Sequence, residues 1–301
     1  MTTHSTPPQP AALHPSTRIG ALALVTGAGS LSSRCQILPV DQSGQVNIDV
    51  LAACLHGATS PPLVSIMVGN NETGIRQNLA LVSEVCRAHR AVLHCDAVQA
   101  LGKLSSADFV PWVDAFTFSA HKLHGPVGVG ALLVRSSVRL KPLLVGGGQQ
   151  LALRPGTESV PLVVAMATAC ELAEQERSAG AMLRVSELRA KFEAALAGAD
   201  IGAVVIGQQV ARLPHISFIA FPGLDRQALL MALDMAGIEC SSGSACASGS
   251  SQSSHVLTAM HLPPLWVEGA IRFSFSRFTR ASEVEAAIER IIAVVNKLRN
   301  R

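Results

Sequence analysis

The 301 residues carry 24 Lys and Arg against 21 Asp and Glu, a net charge of +3, with 49% hydrophobic and 15% charged residues. This is the balance of a well-buried globular chain rather than a disordered one, and with no dense Lys/Arg block nucleic acid is not an evident partner. No apolar run approaches the roughly 20 residues that a bilayer crossing needs. Seven cysteines at irregular spacing, without a CxxC pair or a secretory signal, predict free thiols in a reducing, cytoplasmic compartment and no zinc ribbon.

Residues 1–20 are rich in Thr, Ser, Pro and Ala, lack hydrophobic periodicity and read as a disordered tail. No Asp or Glu precedes Asp41, as in organelle transit peptides, but arginines are scarce. The run Ala21-Leu22-Ala23-Leu24-Val25-Thr26-Gly27-Ala28-Gly29-Ser30 resembles the opening of short-chain dehydrogenases. The spacing then fails, because Leu31 and Ser33 stand where further glycines belong and no acidic residue follows at a suitable distance. Residues 36–40 predict a strand, Asp41-Gln42-Ser43-Gly44 a turn, and residues 47–55 a helix.

Residues 63–68 predict a buried parallel strand that ends in Gly69-Asn70-Asn71-Glu72-Thr73-Gly74. Ligands of open α/β sheets sit beyond the carboxyl ends of strands, so these polar residues are placed for binding. Residues 79–88 have helical spacing, with Val82, Val85 and Cys86 on one side and Leu81 beside them. The strand 91–95 ends at Asp96, with Gln99 just beyond. A carboxylate there needs a partner, because an isolated buried charge is very costly; a helix N-cap is the plainer alternative.

The apolar run 113–118 reads as a buried strand that stops at Ser119-Ala120-His121-Lys122, and Gly125-Pro126 forces a turn. A lysine at the mouth of such a strand is expected to be partly desolvated. That would lower its pKa and free the amine as a nucleophile, as a Schiff-base lysine requires. Ser119 and His121 can both donate to an anion beside it. Residues 127–134 predict another buried strand, with Gly128 and Gly130 allowing close approach of backbone. Residues 160–196 read as a long helix broken at Ser178-Ala179-Gly180, whose charges Glu171, Glu174, Glu176, Arg184, Glu187 and Arg189 predict a solvated face. Strands are expected at 204–206 and 215–221, a helix at 225–236 and a packing helix at 281–298. Between them Cys240-Ser241-Ser242-Gly243-Ser244-Ala245-Cys246-Ala247-Ser248-Gly249-Ser250 can hold little side-chain packing, as an active-site loop requires.

Ser119-Ala120-His121-Lys122 before Gly125-Pro126 resembles the cofactor-lysine motif of cysteine desulfurases, pyridoxal-phosphate (PLP) enzymes of the class V aminotransferase group. The likeness runs from about Gln36 to the C-terminus and takes in Asn70-Asn71-Glu72, Asp96-Ala97-Val98-Gln99, Arg154-Pro155-Gly156-Thr157 and Ser241-Ser242-Gly243-Ser244-Ala245-Cys246. It implies a PLP-dependent fold type I, α/β, with a mostly parallel sheet carrying helices on both faces and a smaller C-terminal α+β domain. Its division would be an N-terminally truncated cofactor domain over 21–175 and a small domain with the cysteine loop over 176–301. By the same resemblance Lys122 carries the cofactor and shuttles the substrate's α-proton, Asp96 pairs with the pyridinium, Gln99 bonds the ring hydroxyl and Asn71 contacts the cofactor. Ser119 and His121 bond the phosphate, Thr157 reaches the phosphate of a partner subunit in a homodimer, and Arg272 clamps the substrate carboxylate, with Arg277 a second candidate. Cys246 takes the sulfur of L-cysteine as a persulfide, leaving L-alanine, for delivery to an acceptor or scaffold protein, as in iron-sulfur cluster assembly; Cys240 reads as structural.

The chain departs from the family pattern in three places. A ring-stacking histidine and a Gly-Ala-Thr-Glu phosphate turn are missing, and Gln150, Leu151 and Ala152 replace a Glu-Arg-Gly. Two other readings therefore stay open: a selenocysteine lyase, which shares the cofactor chemistry, and a non-catalytic relative that acts as a partner.

Overall fold

The structure is a computed structural model that describes residues 21–23, 36–56, 58, 61–243 and 253–300. The predicted tail 1–20, the Gly-rich stretch 24–35 and residues 244–252, with Cys246, lie outside the described residues. In chain order the first part holds β1 (Ala21–Ala23), β2 (Gln36–Ile37), α1 (Ile48–Leu55), β3 (Leu63–Met67), α2 (Leu79–Ala88), β4 (Val92–Asp96), β5 (Ala115–Ser119) and β6 (Gly130–Val134). Two long helices follow, α3 (Val160–Ser178) and α4 (Ala181–Gly198). The rest comprises β7 (Val204–Val205), β8 (Ile216–Ala220), α5 (Arg226–Met235), α6 (His255–Ala259), α7 (Pro264–Glu268), β9 (Ala270–Ser274) and α8 (Ala281–Arg299).

The first six strands make one sheet in the order β2-β1-β3-β4-β5-β6, parallel except for β6 at the edge. The pleat sorts its side chains. Val64 and Ile66 of β3 and Leu93 and Cys95 of β4 are buried in one core with Leu51, Leu55, Val82 and Cys86 from α1 and α2. The alternate positions Ser65, Met67, His94 and Asp96 are only half-buried and share the opposite face. There Nδ1 of His94 lies 2.8 Å from the Ser65 hydroxyl and Nε2 lies 3.3 Å from that of Thr117, so one imidazole spans three strands. Burial lowers its pKa, with Asp96 opposing the shift, which suits a neutral ring in a hydrogen-bonded row. Asn47 and Asn78 cap α1 and α2 by accepting from Val50 N and Leu81 N, placing both helix starts at polar residues.

The second sheet is antiparallel, β7-β8-β9, and packs with α4, α5 and α8 around Phe192, Phe221, Leu229, Ile271 and Ile291. Among the described residues no helix is long and apolar enough to cross a membrane.

Three sequence expectations are corrected. The strand at 127–134 is not buried: β6 closes the sheet edge, where Leu132 and Leu133 are exposed. Its Gly130 does serve a close approach, since a Cβ would stand 2.6 Å from the Phe118 carbonyl, whereas Gly128 answers a positive φ of 87° with no neighbour within 4 Å. Leu81 is exposed, because the helix turns only Leu79, Val82, Ser83 and Cys86 inward. Arg189 is not on a solvated face: its side chain is 12% exposed, and its guanidinium donates to the Leu213 carbonyl and lies 3.8 Å from Glu193.

Glu193 also receives both terminal nitrogens of Arg212 at 2.7 Å, with side chains 8% and 6% exposed. This pair ties α4 to the segment that enters β8. Removing one partner would leave two guanidinium groups without a counter-charge, so Glu193→Ala should lower stability by about 3–5 kcal/mol. The exposed Lys191–Glu285 pair is the control: Lys191→Ala should cost less than about 1 kcal/mol by the same urea midpoint measurement.

Candidate active site

Strand ends meet the second sheet at a cleft of about 770 Å³. Asp96 at the carboxyl end of β4, Gln99 in the following turn, Asn71 beyond β3, and His121 and Lys122 beyond β5 all line it, and Arg272 of β9 closes it from the other sheet. The sequence-predicted set therefore converges from four separate segments. Two members stand apart from the lining. Ser119 reaches it only through His121, whose Nδ1 is 2.7 Å from the Ser119 hydroxyl. Thr157 is exposed in the segment before α3 and outside the cleft.

The turn after β3 is built by Asn70, whose side-chain oxygen accepts from Glu72 N and Thr73 N, both at 2.9 Å. That leaves the Asn71 carbonyl free to accept from Arg272 Nη1 at 2.9 Å, and the same nitrogen donates to the Gly243 carbonyl at 3.1 Å. Glu72, buried, accepts from the Ser254 hydroxyl at 2.6 Å. Gly243 and Ser254, on either side of residues 244–252, are thus both anchored on this turn or on Arg272. A planar guanidinium suits bidentate recognition of a carboxylate.

Asp96 is not a helix N-cap; its carboxylate accepts from Val98 N at 2.9 Å in an Asx turn that keeps the acid at the cleft. The lysine expectation needs a correction. Lys122 sits in a single 3-10 turn, Ala120–Leu123, that points Ala120 and Leu123 into the core and leaves His121 and Lys122 exposed. The desolvated amine is Lys103 instead, which also lines the cleft and donates to the Lys122 carbonyl at 2.6 Å. Burial, and then the charge of Lys122, pull the Lys103 pKa down to about 8.

Sequence reasoning named Arg277 as a second clamp candidate but missed the pairing and the histidines of the far wall. Glu176 of α3 receives Arg277 Nη1 at 2.5 Å, and His124, at a left-handed φ of 61°, packs edge-on to Phe278. His215, at the entry to β8, lies with Nε2 3.2 Å from Gln99 Oε1. These contacts join residues more than a hundred positions apart, and no local spacing signals them. Cys240 is half-buried, and burial and then Asp234 push its pKa up to about 11. No group of three or more His, Cys, Asp or Glu among the described residues is placed to hold a metal.

The cleft as a whole carries Lys103, Lys122, Arg272 and Arg277, together with several histidines, against Asp96, Glu72 and Glu176. Such a site suits an anionic ligand with one position for a cation beside Asp96.

Known proteins show the same arrangement of chain. The "Cysteine desulfurase 2" of Trichormus variabilis is 41% identical over 262 residues, which cover 87% of this chain and 65% of the relative. The "Cysteine desulfurase" of Klebsiella pneumoniae is 38% identical, covering 88% of this chain and 66% of the relative. The chain thus spans about two thirds of the length of the curated relatives it matches. Among solved structures, a NifS-like protein from Rickettsia africae superposes with a TM-score of 0.78 at 29% identity, covering 88% of this chain and 70% of that one. Another NifS-like protein gives 0.76 at 33% identity, covering 88% and 69%. With the aminotransferase class-V model matching residues 21–287, and an α/β fold shared with these structures, the chain belongs to the aminotransferase class-V family.

Proposed function

We propose that the cleft binds PLP and serves the desulfuration of L-cysteine, giving L-alanine and a persulfide on Cys246. The convergence of Asp96, Gln99, Lys122 and Arg272 on one cleft carries this reading, and the relatives named as cysteine desulfurases support it. The donor set fits the cofactor. An acid is available for the ring nitrogen, an amide for the ring hydroxyl, the Ser119–His121 pair for the phosphate, an amine for the aldehyde, and the cationic balance favours a phosphate. When bound, PLP supplies an electron sink for the bonds around the substrate's α-carbon.

In this reading Asp96 holds the proton on the ring nitrogen, and the Lys122 amine takes and returns the α-proton. Arg272, oriented by the carbonyls of Asn71 and Gly243, grips the carboxylate. The Cys246 thiolate attacks the substrate sulfur; an S–S bond forms, the C–S bond breaks, and the β-carbon keeps the electron pair and is protonated to alanine. The persulfide then passes to an acceptor protein. The cofactor-binding unit is taken as 21–175 and the small unit as 176–301.

A second copy of the chain is the partner proposed for the apolar surface formed by the edge strand β6, the segment after it and the start of α3. Leu143 is 96% exposed and Leu151 88%, with Val145, Val160 and Val164 beside them in sequence terms. Exposed apolar residues in this number mark an interface, and Thr157, itself exposed, lies among them in sequence.

Mass spectrometry after exposure to PLP and L-cysteine should find about 32 mass units, one sulfur atom, added on Cys246. An unmodified Cys246 alongside undiminished cysteine would sink the desulfurase reading. Borohydride trapping with PLP should label Lys122, not Lys103. Without cofactor, acylation of Lys103 should rise as pH passes through about 8, and Lys122→Ala should move that rise to higher pH, because removing a like charge favours the ammonium. Light scattering should give a dimer for the native chain, and a Val145→Asp, Val164→Asp double variant should shift it toward monomer.

A further inference from the structure

Gln99 and His215 meet across the cleft from distant parts of the chain. His215 is 9% exposed and lines the cleft wall. Its Nε2 stands 3.2 Å from Gln99 Oε1, and among the described residues its Nδ1 has no hydrogen-bond partner. An amide oxygen can only accept, so Nε2 carries the hydrogen and Nδ1 the bare lone pair. A second proton would place an unpaired N–H and a charge in a buried spot facing Lys103, Arg189 and Arg272. Burial first, and those cations second, push the His215 pKa down to about 3, so the ring stays neutral at any working pH. One tautomer is therefore fixed by its surroundings.

The consequence falls on Gln99. With its oxygen engaged, its NH2 is the group left for the cleft, and no described residue takes those hydrogens. We propose that His215 is a positioning residue that holds the Gln99 amide with its NH2 turned into the cleft, making this wall a donor site for an anionic oxygen. On the PLP reading, on which the identity of that oxygen rests, it is the deprotonated ring hydroxyl. A glutamine without such a partner can turn over and present its oxygen, which repels an anion. His215 thus confers selectivity for a ligand that carries an oxygen at this point, since a donor left unpaired costs affinity.

The first test needs no cofactor. Nitrogen-15 spectra of the native chain should show His215 as the neutral Nε2–H tautomer, unchanged between pH 8 and 5; a Nδ1–H tautomer, or protonation in that range, overturns the proposal. The second compares the affinity for PLP with that for 3-deoxypyridoxal 5'-phosphate, which lacks the ring hydroxyl. His215→Phe should weaken PLP about tenfold and leave the deoxy analogue unchanged, as loss of one charge-assisted hydrogen bond predicts. His215→Gln, which returns a donor at the same reach, should restore most of the loss. Equal weakening of both ligands, or none for PLP, overturns the positioning role. Should the native chain bind neither ligand, the cofactor reading fails, and the tautomer result alone decides for or against the hold on Gln99.

Discussion

The structure depends on the turn after β3. Several of the hydrogen bonds that join the parallel sheet to the antiparallel one pass through it. The Gly74 carbonyl accepts from Leu213 N at 2.7 Å, Arg76 N donates to the Ala211 carbonyl at 2.9 Å, the Asn71 carbonyl receives Arg272, and Glu72 receives Ser254. Contact this close requires missing side chains. A Cβ on Gly69 would stand 2.8 Å from Leu213, and Gly74, at φ 75°, would put one 3.2 Å from Ile216. The two glycines therefore answer a packing need as well as a turn need. The cleft is what remains between the sheets once this seam is closed.

Charge in the cleft follows from the same geometry. The carboxyl ends of β3, β4 and β5 deliver polar residues from one side, and β9 delivers Arg272 from the other. Cations outnumber acids there, and the like charges act on one another: Lys122 helps depress Lys103, and Lys103 in turn helps hold His215 neutral. Most cations in the cleft have fixed partners. Arg277 is held by Glu176 and Lys103 by the Lys122 carbonyl. Lys122 is the amine left exposed on its turn. Accessibility, rather than burial of its own ammonium, distinguishes it.

Much of this could be read from the chain before folding it. Short apolar runs located β3, β4 and β5, and helical spacing located α2 and α8, to within a residue or two. Breakers at Ser178-Ala179-Gly180 separated α3 from α4, where Gly180 takes a φ of 86°. The strand-end residues Asn71, Asp96 and Lys122 were legible because a parallel sheet sends its carboxyl ends to one edge. β6 was misjudged because an apolar run has the same composition at a sheet edge as in its middle; only pairing decides which.

The sequence by itself determined the order of the longer elements and the candidate residues at their strand ends, since these depend on short-range pattern and turn chemistry, while the mostly parallel sheet was what the family resemblance implied. Tertiary structure alone decided that Lys103 and not Lys122 is the desolvated amine, that Arg189 turns inward to Leu213 and Glu193, and that His215 backs Gln99. Each of those outcomes is set by dielectric surroundings and partners that come from remote segments. Burial and electrostatics are properties of a neighbourhood, and a neighbourhood exists only once the chain has closed on itself.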